Sequence, residues 1–183
     1  MTRRPRRIRV LTASGLAVLA VLAGCAQGDP SPAPAGGGDG ADADGRPARV
    51  IRVVDGDTIV ARVAGDEERV RLLGVDAPES VTTDRPVECF GPESAAAARR
   101  LMPPGARVRL ATDASQGAED RFGRLLAEVT RDGQPITVNE QLVAGGYAEV
   151  FRGDGRARLQ PALRAAERSA RDAGLGLWGS CRR

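Results

Sequence analysis

Three short stretches carry the residues capable of chemistry: Asp55-Gly56-Asp57-Thr58, Arg71-Leu72-Leu73-Gly74-Val75-Asp76-Ala77-Pro78-Glu79 and Asp120-Arg121-Phe122-Gly123-Arg124. Together they supply carboxylates at Asp57, Asp76 and Glu79 and guanidinium groups at Arg71 and Arg124. Two aspartates without histidine or thiolate make a hard-oxygen donor set, which selects Ca²⁺ or Mg²⁺ over softer metals. Two arginines can clamp a phosphate bidentately and neutralise charge that develops on its oxygens. A third carboxylate, outside the metal's ligand set, can orient a water and take its proton. Each stretch alone reads as an ordinary polar turn. The combination is the equipment of a phosphodiester hydrolase.

The elements that must position these residues are legible from patterning. Residues 50–54 and 58–63 are β-branched runs separated by Asp55-Gly56-Asp57, and Ala64-Gly65-Asp66 turns the chain into the strand that carries Arg71. Along that strand Val70 and Leu72 share one face, with Arg69, Arg71 and Leu73 on the other. Pro78 lacks an N–H and marks where strand pairing stops, so Asp76 and Glu79 fall at a strand end. A helix follows, capped by Gly91 with Pro92 at its first position, Ala-rich through Met102 and stopped by Pro103-Pro104. Strands return at 107–111 and 125–130, and Asp132-Gly133 reads as a tight hairpin turn into Ile136. Thr137 and Glu140 have capping-box spacing ahead of a second helix that Gly145-Gly146 ends. Leu159, Leu163, Ala166 and Ala170 form an apolar stripe on a last helix closed by Gly174. Several short strands with helices inserted late predict a mainly β protein with α: a small barrel with helices packed on it. Such a barrel can gather several strand ends at one rim.

The ends of the chain carry a different message. Arg3, Arg4, Arg6, Arg7 and Arg9 precede an apolar run at 16–23 that is too short to span a bilayer as a helix. The run closes on Leu22-Ala23-Gly24-Cys25, which resembles the lipobox of bacterial lipoproteins. The expectation is a signal peptide at 1–24 and export by the general or the twin-arginine route. Lipid on Cys25 would anchor the protein at the outer face of the cytoplasmic membrane, from which proteolysis could release it. Residues 25–47 are then a Gly/Pro/Asp-rich tether reaching about 25 Å on average, and the folded domain is 48–183. The formal charge of +3 comes from the leader. Residues 25–183 hold 22 arginines against 24 acidic residues, so composition gives no argument for a polyanionic partner. The chain has no histidine and no lysine, which removes imidazole acid–base chemistry and His metal ligands. With Cys25 lipidated, Cys89 and Cys181 remain; in an exported domain they read as one disulfide, since a two-cysteine metal site lacks further ligands.

The order Asp-Gly-Asp-Thr, Arg-Leu-Leu-Gly-Val-Asp-Ala-Pro-Glu, Phe-Gly-Pro-Glu, Asp-Arg-Phe-Gly-Arg and Val-Asn-Glu-Gln-Leu-Val resembles the staphylococcal nuclease (thermonuclease) family from Val50 to about Trp178. The resemblance implies an OB-fold, a five-stranded barrel with three helices, and Ca²⁺-dependent cleavage of DNA and RNA to 3′-phosphorylated ends, by a monomer. It implies that Asp57 and Asp76 bind calcium through carboxylates and Ala77 through its carbonyl. It makes Glu79 the general base, and Arg71 and Arg124 the ligands of the phosphate and transition state. Phe122 stands where the family has a substrate-contacting tyrosine, and Ala77 where it has a threonine. A second substrate tyrosine has no clear counterpart, with Phe151 nearest to its place. The alternative is a catalytically silent OB-fold module that binds single-stranded nucleic acid, against which stand the near-neutral charge and the few aromatic residues. A structural envelope lipoprotein would show no metal dependence.

Overall fold

A computed structural model of the chain describes residues 45–80, 86–153 and 155–181. The expected signal peptide, Cys25 and the expected tether as far as 44 lie outside the described residues. In chain order the elements are β1 (Arg46–Val53), β2 (Thr58–Val63), β3 (Asp66–Leu72), β4 (Val75–Asp76), α1 (Gly91–Leu101), β5 (Arg107–Ala111), β6 (Leu125–Arg131), α2 (Val138–Ala144), β7 (Glu149–Val150), α3 (Gln160–Asp172) and α4 (Leu177–Ser180). Five strands close a barrel in the order β1-β2-β3-β6-β5. Its neighbours are antiparallel except β3 and β6, which run parallel. This is the expected five-stranded OB-type barrel with its three helices.

Alternation along the strands fills the barrel. Val50, Ile59, Ala61, Val70, Leu72, Val108, Leu110, Ala127 and Val129 all belong to one buried cluster, which α1 joins through Ala97 and Ala98 with Met102 at its C-cap, α2 through Val138, Leu142 and Val143, and α3 through Leu163. Removing that much aliphatic surface from water is the main force that holds the strands in register. A β-bulge between Val50 and Arg52 shifts the β1–β2 register by one residue. Arg49 and Arg52, three apart, therefore both pair with outward-facing β2 positions.

Several details differ from the sequence expectations. β1 starts at Arg46, two residues ahead of the expected boundary at 48, because Arg46 and Pro47 already pair with Leu110 and Arg109 of β5. The first helix is capped by Phe90, not Gly91, and Phe90 takes φ +71°. Asp132-Gly133 turns the chain, with Gln134 N–H donating to the Arg131 carbonyl at 3.0 Å, but no strand follows at Ile136. The chain enters α2 instead, because the Thr137 hydroxyl takes the Glu140 amide at 3.1 Å and starts a helix there. Leu73 lies past the end of β3 and is buried. A two-stranded sheet of β4 and β7 and the short α4 are additions that patterning did not predict. The disulfide forms as expected, joining Cys89 and Cys181 with Cα atoms 6.0 Å apart.

Candidate active site

The turn between β1 and β2, the end of β3 with β4, and the loop entering β6 meet at one rim of the barrel. Register makes this unavoidable: Thr58 pairs with Arg71 across β2–β3, and Arg71 with Leu126 across β3–β6. Arg124 stands two residues before Leu126, on the same face of the strand line. Asn139 of α2 fixes the β3–β6 junction from below. Its fully buried amide accepts from Val129 N–H at 2.8 Å and donates to the carbonyls of Leu73 at 2.9 Å and Ala127 at 3.3 Å. Gly74 completes the turn at φ +74°, and a Cβ there would lie 2.7 Å from Leu163, so both conformation and space require glycine.

Asp57 is the centre of the rim. Its carboxylate is 3% exposed, ion-paired through Oδ1 with the Arg71 guanidinium. Oδ1 also accepts from the Thr58 hydroxyl at 3.0 Å, and Oδ2 from the Ala77 amide at 2.9 Å. Arg71 reaches onward through Nη2 to the Val75 carbonyl at 3.0 Å and to Asp76 Oδ1 at 3.1 Å. The Asp76 side chain stands out in solvent. Gly56 allows the turn to lie against its neighbours: a Cβ there would sit 2.2 Å from Ser94 Oγ and 2.5 Å from Ala77 Cβ.

Arg124 enters from the other side. Asp120 grips it with Oδ2 on Nε and on Nη2, both at 2.7 Å, while Oδ1 takes the amides of Phe122 at 2.8 Å and Arg124 at 3.0 Å. Arg124 Nη1 lies 3.5 Å from the Thr58 hydroxyl. A polar chain therefore runs Arg124, Thr58, Asp57, Arg71, Asp76. The Phe122 ring is exposed, with the guanidinium carbons of Arg121 and Arg124 at 4.7 and 5.4 Å from its centroid.

Glu79 follows three residues after Asp76. Its backbone is held reciprocally by Glu88: Glu79 N–H donates to Glu88 Oε2, and Glu88 N–H donates to the Glu79 carbonyl, both at 3.0 Å. Gly91 at the start of α1 packs so closely that a Cβ would lie 2.3 Å from the Glu79 oxygen. Phe151 N–H donates to the Gly74 carbonyl at 2.9 Å, which holds the Phe151 backbone beside the turn leading into Asp76, and its side chain is exposed.

Burial pushes the Asp57 carboxyl up to about 7, against the pull of Arg71 and with a further push from Asp55. Arg71 loses most to burial as well, but Asp57 and Asp76 together hold it above its ordinary value. Of this pair it is therefore the aspartate whose proton is in the balance. Asp120 is raised by burial and lowered more by the Arg124 amide and guanidinium and the Phe122 amide, so it stays below the usual carboxylate range.

Among the described residues no group of three or more His, Cys, Asp or Glu side chains gathers to hold a metal. The donors at this rim are the carboxylates of Asp57 and Asp76 and the backbone at Ala77. All are hard oxygens, and the two carboxylates share the one Arg71 guanidinium, so the set fits a hard divalent cation held weakly. Patterning did not single out Thr58, Asp120, Glu88 or Asn139. Asp120 carried a signal, the four-residue spacing to Arg124; the other three are linked to the rim through tertiary contacts 9 to 66 residues apart.

Comparison with known proteins agrees with this geometry. The staphylococcal nuclease homologue family matches residues 69–180. Thermonuclease from Staphylococcus hyicus is 31% identical over 140 residues, which cover 76% of this chain and 80% of that protein. Thermonuclease from Staphylococcus intermedius is 31% identical over 137 residues, covering 75% and 79%. An uncharacterised protein of Bacillus anthracis is 37% identical over 134 residues, a match that takes in 71% of this chain but only 59% of that relative. These likenesses support a nuclease. By its barrel, its ordered motifs and these matches, the chain belongs to the staphylococcal nuclease family.

Proposed function

We propose that this protein is a calcium-dependent nuclease that hydrolyses phosphodiester bonds of DNA and RNA and leaves 3′-phosphorylated products. The observation that carries the reading is the polar chain from Arg124 through Thr58, Asp57 and Arg71 to Asp76, which puts two guanidinium groups and two carboxylates at one barrel rim. Calcium, held by Asp57, Asp76 and the Ala77 carbonyl, would supply positive charge to a phosphate oxygen. Arg71 and Arg124 bind the remaining phosphate oxygens and stabilise the charge that builds on them as phosphorus becomes five-coordinate. Asp120 keeps the Arg124 fork oriented for this task. The Glu79 carboxylate takes a proton from a water whose oxygen bonds to phosphorus. The P–O5′ bond breaks, its electron pair passes to O5′, and O5′ takes a proton from solvent as the 5′-hydroxyl leaves, while Glu79 returns its proton to solvent. Phe122 offers its exposed ring to a base of the substrate.

The lipobox-like Leu22-Ala23-Gly24-Cys25 supports export and lipid anchoring through Cys25, with the enzyme working as a monomer outside the cytoplasmic membrane. The direct test is digestion of single- and double-stranded DNA and of RNA, each with Ca²⁺, Mg²⁺ or EDTA, by wild type and Glu79→Gln. Cleavage with Ca²⁺ that EDTA abolishes and Glu79→Gln lowers by roughly 10²–10⁴-fold is the expected result. Folded wild-type protein that binds DNA but leaves it intact with every metal would make the domain a binding module.

A further inference from the structure

The outer surface of the barrel carries an arrangement of charge that composition concealed. Arg49 of β1 stands directly opposite Arg62 of β2 on one side and Arg107 of β5 on the other. One row further along, Val60 of β2 lies between Arg52 of β1 and Arg69 of β3. Arg69 is two residues from Arg71 on the same strand, so this surface runs without interruption into the phosphate-binding rim. All five of these arginines are exposed. Glu67 is the acidic residue that shares this face, paired with Arg62 at 3.0 Å. Arg52, Arg69 and Arg107 have no ion pair among the described residues.

Arg49 donates from Nη1 to the Gly105 carbonyl at 2.9 Å and Arg62 pairs with Glu67, but folding does not account for Arg52, Arg69 and Arg107 beside them. Like charges placed directly opposite across antiparallel strands oppose sheet formation, and Arg49 faces one on both sides. The bulge between Val50 and Arg52 adds to the effect, because without it Arg52 would turn to the opposite face from Arg49. The spacing suits a repeating anion. Neighbouring strands are about 4.8 Å apart and alternate residues on a strand about 6.6 Å apart, so the guanidinium groups form a track roughly 20 Å long. The fork of each arginine matches a phosphate.

We infer that the outer face of β1, β2, β3 and β5 is a docking track for the phosphate backbone of a polynucleotide whose scissile bond lies at the Arg71–Arg124 rim. This inference rests on the nuclease reading for the position of the scissile bond, and it extends it to the substrate class: chains several nucleotides long, not short oligonucleotides. An anionic membrane surface is the competing polyanion. It is disfavoured because the track leads into a recessed guanidinium, Arg71 at 17% side-chain exposure, which a flexible single strand can enter and a flat headgroup surface cannot.

The test is binding of a fluorescein-labelled 20-nucleotide single strand in EDTA, followed by anisotropy from 50 to 400 mM NaCl. Wild type is compared with Arg52→Gln/Arg69→Gln, with Arg52→Lys/Arg69→Lys, and with Arg168→Gln on α3 as a distant control. For a single strand each phosphate contact contributes about 0.7 to the slope of log K against log salt, so the glutamine pair should flatten the slope by about 1.4 and weaken binding about 25-fold at 0.1 M salt. The lysine pair should restore most of the slope, and Arg168→Gln should match wild type. Equal slopes and affinities for wild type and the glutamine pair would overturn the inference. So would loss of binding to phosphatidylglycerol vesicles in the glutamine pair with DNA binding unchanged. Because binding is read without metal, a protein that never cleaves but shows the slope change would retain the track and lose the nuclease reading. A protein that cleaves with the slope unaltered would do the reverse.

Discussion

Replacing Arg71 by Gln separates charge from hydrogen bonding at the rim, and pH is the variable that does it. Arg71 contributes three contacts: the Asp57 ion pair and the hydrogen bonds to Val75 and Asp76. Losing the last two costs about 1–2 kcal/mol at any pH. The Asp57 contribution depends on its proton. With the folded carboxyl at about 7 and the unfolded one at its ordinary acidic value, folded wild type still holds this proton below pH 7 after the unfolded chain has released it. Stability therefore falls as pH rises towards 7, in wild type and variant alike, and the charge adds nothing to their difference. Above 7 wild type releases the proton and keeps the ion pair, whereas the variant, without a cation beside a 3%-exposed carboxylate, goes on holding it. The gap then widens by about 1.4 kcal/mol per pH unit. Urea denaturation in EDTA should show a deficit of about 1–2 kcal/mol at pH 6, rising to about 4 at pH 9. In an Asp57→Asn background the widening should vanish. A constant deficit of about 3–5 kcal/mol from pH 6 to 9 would mean a pair that is always charged and would refute the reasoning.

Calorimetric titration with Ca²⁺ should give a dissociation constant of roughly 10⁻⁴–10⁻³ M at pH 8, as expected for two carboxylates completed by backbone and water. The affinity should weaken about tenfold per unit below pH 7, since the proton on Asp57 competes with the cation; a pH-independent constant would contradict the raised carboxyl. Asp120→Ala should leave the melting temperature within a few degrees and lower kcat on the order of a hundredfold, because Arg124 loses the carboxylate that aims its fork. Asp120→Asn keeps an acceptor for the Phe122 and Arg124 amides but turns an NH₂ group towards the Arg124 fork, so it should lose about as much, and near-wild-type kcat in Asp120→Asn would argue against the aiming role. Replacing Cys89 and Cys181 together by Ser opens a link between residues 92 apart and should lower stability by about 4–5 kcal/mol in urea, with an unchanged midpoint as the contrary result.

Much of this protein was determined locally. β-branched runs, the Thr137 cap and the stripe on α3 declare their elements because strand alternation and helix capping depend on residues within four of one another. The motif order carried the family, and with it the barrel. Local patterning failed where tertiary contacts outweighed it. Asp132-Gly133 leads into a helix because the buried Asn139 amide ties the following segment to β6. The candidate site divides in the same way. The types and chain positions of Asp57, Arg71, Asp76, Glu79 and Arg124 stood in the sequence. Their electrostatics did not, because burial of Asp57, its grip by Ala77 and Arg71, and the bridge from Thr58 to Arg124 exist only once β2, β3 and β6 share a rim. The arginine track makes the point most sharply. Summed along the chain, the charges of residues 25–183 nearly cancel. Strand register and a single bulge place arginines from four strands on one face, and net charge, which carries no positions, cannot report that separation.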